Sequence, residues 1–195
     1  MEQLKNNMMS NSKIDKIYGL RYDQSFKSIF SDKENFQRLM KDIFHEELEE
    51  FTYVNKEMSK ENRNIKCGVI DMIARTSKRI VLMEVQNKSL KTFKIRFKNY
   101  TSLLYTSQPE SYQEMLPVEA YAILNYEEGN SKVLKEFSEL ERRIEEEFDN
   151  LSRIKVWNIK EALKEEGMDR EYARLFSLDQ YGKEEAIKIL LKLGR

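Results

Sequence analysis

Cysteine and histidine are almost missing from this chain of 195 residues, which has one of each, Cys67 and His45. A lone cysteine closes no internal disulfide. With one histidine besides, a zinc site has few soft ligands to draw on, and a Ser-His-Asp or Cys-His relay would have to be built on His45 alone. His45, in "DIFHEELEE", reads as the residue that ends a helix rather than as a catalytic base. The chain also lacks any apolar stretch near the roughly 20 residues that cross a bilayer, so no membrane partner is expected and a cytoplasmic location is. Net charge is absent too. Lysine plus arginine equals aspartate plus glutamate at 34 each, which argues neither for nor against nucleic acid. The groups left for chemistry are hard oxygens, chiefly carboxylates.

With 40% hydrophobic and 11% aromatic residues, the chain can bury one sizeable core, and one domain is expected. Its polar opening, residues 1–14, reads as a disordered lead-in. From Tyr22 to Glu47 the apolar residues Phe26, Ile29, Phe30, Phe36, Leu39, Met40, Ile43 and Phe44 recur at helical spacing. Two helices are predicted, with Asp23 and Asp32 at their N-caps and "FSDKEN" as the break.

Three strand-like segments follow, "FTYV", "CGVIDMIA" and "RIVLMEVQ", separated by polar stretches. The second and third are apolar on both faces, as central strands of a covered sheet are. "LKTFKIRFKNYTSLLYTSQ" then carries Phe93, Phe97, Tyr100, Leu103 and Leu104 on one helical stripe, and "VEAYAILNY" reads as a fourth strand. The order is α-β-β-β-α-β. Residues 131–150 and most of the last 45 residues are predicted helical, with glycine stops after "NIKEALKEE" and "KEEAIKILLKL". The chemistry would thus sit in 15–127, with 128–195 a helical C-terminal extension packed on the same domain.

The short "RTSKR" joins the second and third strands, and a hairpin centred between Ser77 and Lys78 pairs positions whose numbers add to 155. Asp71 then faces Glu84. Directly opposed residues share a face with β-carbons about 5 Å apart, and Gln86 lies on that face two residues on. Two carboxylates so close between apolar strands lose hydration and repel each other. A divalent cation would offset both costs. Asp71, Glu84 and a backbone carbonyl, that of Val85, make an oxygen set suited to Mg²⁺ or Mn²⁺. Such an ion generates hydroxide from water and stabilises charge on a phosphodiester. The plainer reading is that both acids are strand-end charges reaching solvent.

Charge distribution sides with a phosphate partner. Residues 51–108 hold 12 lysines or arginines against 4 acids, whereas residues 109–150 hold 4 against 12. Lys78, Arg79, Lys88, Lys91, Lys94, Arg96 and Lys98 come from the hairpin turn and the next helix, where they could follow a phosphate backbone or form a solvated helix face.

Taken in order and spacing, "YDQSFKSIFSDKEN", "VIDMIA", "VLMEVQN", "FKIRFKNYTSLLYTSQ" and "YQEMLPVEAYAIL" resemble the PD-(D/E)XK nuclease family transposases, the recombination-promoting nuclease group, over residues 22–125. The resemblance implies an α/β, restriction-endonuclease-like core with a mixed central sheet flanked by helices. It implies Asp71 as the first metal carboxylate, and Glu84 with Gln86 as an E-x-Q form of the (D/E)-x-K motif. Gln86 in place of lysine removes a cation beside the attacking water, leaving it able to orient water or phosphate. Lys88 and Lys98 are candidates for the missing charge. Arg96 and Tyr100 match the family's R-x-x-x-Y, one turn apart on one helix face, where they would touch phosphate or serve as packed core. Asp23 and Lys27 match its D-x-x-F-K as accessory residues. Two features depart from the family pattern: Glu110 and Ser111 stand before Tyr112 where relatives carry glycine, and the last third aligns little.

The expected function is a Mg²⁺-dependent deoxyribonuclease that acts on DNA and promotes recombination or mobile-element activity, with a homodimer left open. The rival from another class is a protein that keeps the fold and binds DNA without cutting it.

Overall fold

A threonine closes the hairpin between the second and third strands. In this computed structural model, which describes residues 18–54, 70–89, 92–108, 111, 113–126, 133–138 and 152–193, Thr76 Oγ1 accepts the Lys78 and Arg79 amides at 3.0 and 2.9 Å. The turn joins β2 (Met72–Arg75) to β3 (Ile80–Gln86), which pair Met72 with Met83 and Arg75 with Ile80. The pair numbers add to 155, the register expected from the length of the turn. The lead-in over 1–14 and the start of the second predicted strand, Cys67–Val69, lie outside the described residues.

The described residues fall into two compact units, 48–158 and 1–47 with 159–195. The first holds a six-stranded mixed sheet in the order β1-β2-β3-β4-β6-β5. β1 (Thr52–Tyr53) and β2 run antiparallel to their neighbours. β3, β4 (Val118–Leu124) and β6 (Ser152–Asn158) run parallel, and β5 (Leu134–Ser138) is antiparallel on the far edge. Between β3 and β4 the chain crosses through α3 (Phe93–Thr106), as parallel neighbours require. Phe93, Phe97 and Tyr100 of α3 pack on Leu82, Ala120, Ala122, Leu124 and Val156. Burying such side chains contributes roughly 1.5–3 kcal/mol each. Leu82 therefore faces α3, and by the two-residue repeat of a strand so do Glu84 and Gln86.

The second unit is helical among its described residues. α1 (Asp23–Phe30) and α2 (Lys33–Phe44) meet α5 (Met168–Phe176), and α4 (Ile159–Ala162) and α6 (Lys183–Leu193) complete it. Phe26, Phe36, Leu39, Met40, Ile43 and Phe176 are fully buried there. Gly19 lies against the Phe176 carbonyl so closely that any Cβ would overlap it. His45 ends α2 with a left-handed backbone, φ 55°, its amide bonded to the Met40 carbonyl.

Three expectations are corrected. Asp32 caps α2 through the Asn35 amide at 3.0 Å, but Tyr22 stands at the N-cap of α1, so Asp23 is its first helical residue and bonds Lys27. The helix predicted over 131–150 is a strand at 134–138, and residues 139–151 lie outside the described residues. "SRIKVWN", taken as part of a helical tail, is β6. Both changes come from free sheet edges: β6 pairs along β4 and β5 along β6, and those hydrogen bonds outweigh a local helical spacing. No helix among the described residues is long and apolar enough to cross a membrane.

Candidate active site

β3 outruns β2 at its carboxyl end, and the site lies where β2 has not yet begun to pair. Ile80 N–H donates to the Pro117 carbonyl and the Gln86 carbonyl accepts the Asn125 amide, both at 2.9 Å, so even-numbered residues turn their backbone toward β4. Val85 turns the other way. Its amide donates to Asp71 Oδ2 at 2.8 Å, which anchors the acid one residue before β2 begins. The pairing of β2 with β3 reaches Met72 opposite Met83, and Asp71 stands one residue beyond it.

Glu84 is 6% exposed and Gln86 8%, so the carboxylate is a buried polar group within the sheet rather than a strand-end charge reaching solvent. Its Oε1 accepts Arg96 Nη2 at 2.6 Å. The same nitrogen donates to Gln86 Oε1, and Gln86 Nε2 donates to the Lys88 carbonyl at 3.1 Å. Arg96 lies 5.9 Å over the Tyr100 ring, which is itself buried beneath α3. The offset expected from a metal ion is thus made in part by a guanidinium and a backbone amide. Sequence spacing put Arg96 and Tyr100 on one helix face; that this face meets Glu84 follows only from α3 lying across β3 and β4.

The structure brings together Asp71, Glu84, Val85, Gln86, Arg96 and Tyr100. Lys88 and Lys98 are exposed, one in the loop after β3 and one on α3. Lys91 lies outside the described residues. Asp23 and Lys27 pair with each other in the helical unit. Among the described residues, no three histidine, cysteine, aspartate or glutamate side chains cluster as a metal site. Any ion here would rest on two carboxylates and oxygens of other kinds. Sequence reasoning missed Asn125 and Asn87, which bond each other at 3.2 Å beyond the carboxyl ends of β4 and β3. Their place directly after two apolar strands was the available signal.

A mixed sheet with paired acids where an antiparallel hairpin meets parallel strands is an α/β core of the PD-(D/E)XK kind. The chain belongs to the PD-(D/E)XK nuclease family transposases, whose model matches residues 20–188. That match extends well past residue 125, so it takes in β5, β6 and most of the closing helices, where little had been expected to align. No curated protein and no solved structure matches the chain.

Proposed function

We propose that this protein is a metal-dependent DNA endonuclease, cytoplasmic, whose cleavage promotes recombination or mobile-element activity. The observation that carries the reading is Asp71 held by the Val85 amide next to the buried Glu84, in a chain of a nuclease family. The residues fit a divalent cation: Asp71 and Glu84 supply carboxylate oxygens and Val85 a backbone carbonyl, a hard donor set suited to Mg²⁺ or Mn²⁺. Such an ion, when bound, acidifies water and stabilises charge on a phosphodiester.

The chain's own residues do the rest. The Val85 amide holds Asp71, and Arg96 holds Glu84, so neither acid has to be reoriented before substrate arrives. Lys88 and Lys98, both exposed, offer charge to the phosphate backbone on either side. A second reading, DNA binding without cleavage, is favoured by the uncharged Gln86 and by the arginine already lying on Glu84.

Incubation with supercoiled plasmid in Mg²⁺, Mn²⁺, Ca²⁺ or EDTA decides between them. Cleavage that requires Mg²⁺ or Mn²⁺ and disappears in folded Asp71→Ala and Glu84→Ala supports the nuclease. Folded wild-type protein that shifts DNA and never cuts it supports the second reading.

A further inference from the structure

We infer that Arg96 is the working cation of this site and that Gln86 acts by holding it there, so the charge beside the carboxylates comes from a helix rather than from the strand. The inference rests on the nuclease reading and assigns Gln86 a different task, positioning an arginine instead of water.

Both functional groups of Gln86 are committed. Its nitrogen donates to the Lys88 carbonyl and its oxygen accepts from Arg96, which fixes the orientation of the amide. Arg96 Nη2 carries two N–H groups and meets two acceptors, Glu84 and Gln86. The Tyr100 ring below the guanidinium restrains its plane. Arg96 is therefore held from three directions, yet its side chain is still 26% exposed, so the charge reaches the surface at the carboxylates. Its Nε is buried with no hydrogen-bond partner among the described residues. An unfilled buried donor is costly. A placement chosen for packing alone would avoid it, whereas one chosen to set charge beside Glu84 tolerates it.

The lysines are poorer candidates. Lys98 is two residues past Arg96 on α3, and positions two apart on a helix do not share a face. Lys88 meets Gln86 through its backbone carbonyl, and its ammonium belongs to an exposed loop.

The test moves the charge across the contact. Arg96→Gln, Arg96→Lys, Gln86→Lys and the double variant Gln86→Lys with Arg96→Gln are checked for folding and compared in single-turnover cleavage and, separately, in affinity for a short duplex in EDTA. Arg96→Gln is expected to slow cleavage about a hundredfold, the scale of losing one preorganised charge-stabilising donor. Arg96→Lys should retain part of the rate. Gln86→Lys alone, which sets an ammonium against the guanidinium, should slow cleavage as well. The double variant, with lysine on the strand in the same gap, should return to within about tenfold of wild type, a strong departure from additivity. In EDTA, Arg96→Gln should weaken duplex binding and the double variant should recover it.

A folded double variant that recovers neither rate nor affinity overturns the inference, because Arg96 would then be a brace that only its own geometry can supply. If wild type cuts under no metal, the nuclease reading fails by itself. The EDTA comparison still decides about Arg96: recovery by the double variant upholds its charge as the phosphate-facing one, and affinity unchanged in Arg96→Gln overturns it. Should Arg96→Gln not fold, Arg96→Lys and Gln86→Met decide in EDTA: weaker binding in Gln86→Met, with its holder gone, supports the inference, and wild-type affinity in both overturns it.

Discussion

The sheet carries a paired glutamate at each end of its parallel strands, half-buried Glu119 and buried Glu84, and the two are held differently. At the amino end, Glu119 of β4 takes Arg79 on one carboxylate oxygen at 2.7 Å and Arg153 on the other at 2.9 Å, with the Tyr121 hydroxyl donating at 2.7 Å. At the carboxyl end, Glu84 of β3 takes one nitrogen of Arg96 that is divided with Gln86. Burial separates them little, since their side chains are 13% and 9% exposed. Glu119 ties the starts of β3, β4 and β6 together from both sides. Glu84 precedes Val85, whose amide holds a second acid, Asp71, at the end of the strands where open α/β sheets bind ligands. A carboxylate fixed on both oxygens is a clamp, whereas one whose arginine is shared can exchange partners when a cation or phosphate arrives.

Alanine at each end separates these duties. Asp71→Ala and Glu84→Ala should lower plasmid cleavage at least about a hundredfold, given that even outer-shell partners of metal ligands cost 10–100-fold. Their denaturation midpoints in EDTA should shift less, because relief of repulsion between the two acids offsets the lost Arg96 and Val85 bonds. Glu119→Ala should do the reverse: loss of about 3 kcal/mol in urea denaturation, because two part-buried arginines lose their counter-ion, with cleavage per folded molecule unchanged. Cleavage that vanishes in a fully folded Glu119→Ala would break the comparison. Asp32→Ala removes the α2 cap in the helical unit, and a loss of about 1 kcal/mol with normal cleavage is expected.

The legible parts of this molecule are those where local rules and the fold agree. Thr76 and a short turn fix the hairpin, so the pairing of Met72 with Met83 and of Arg75 with Ile80 could be read by adding residue numbers. The two first helices were readable from their spacing, and the break from Asp32. β5 and β6 were not, because Leu134 and Phe137 stand three apart and satisfy a helix as well as a strand. What decides there is the pairing of 134–138 with 153–157, a contact no window of sequence contains. The residues that meet around Glu84 were nameable one by one, but not their meeting. Spacing places Arg96 beside Tyr100 on α3, but only the crossing of α3 over β3 brings the guanidinium to Glu84 and Gln86.

A third held carboxylate sharpens the contrast with the smallest effect. In the helical unit the Tyr172 hydroxyl donates to Asp42 Oδ2 at 2.9 Å, and Arg38 Nε approaches the same oxygen at 3.5 Å. Burial pushes the Tyr172 phenol well above its usual range, and the hydrogen bond and charge of Asp42 add to that, against a smaller opposing effect of Arg38. An unfolded tyrosine releases its proton near pH 10, whereas the folded one keeps it to higher pH. Above pH 10 the unfolded state therefore binds fewer protons than the native state, and stability falls as pH rises. The contribution is whole below that point and is lost going upward from it. Tyr172→Phe should cost about 1 kcal/mol at neutral pH, the usual net worth of one hydrogen bond. It should also flatten the decline of the denaturation midpoint between about pH 9.5 and 11, the window that follows from the unfolded value. An equally steep decline in the variant would mean that Asp42 does not restrain this phenol, and that the clamp in the helical unit is weaker than the one at Glu119.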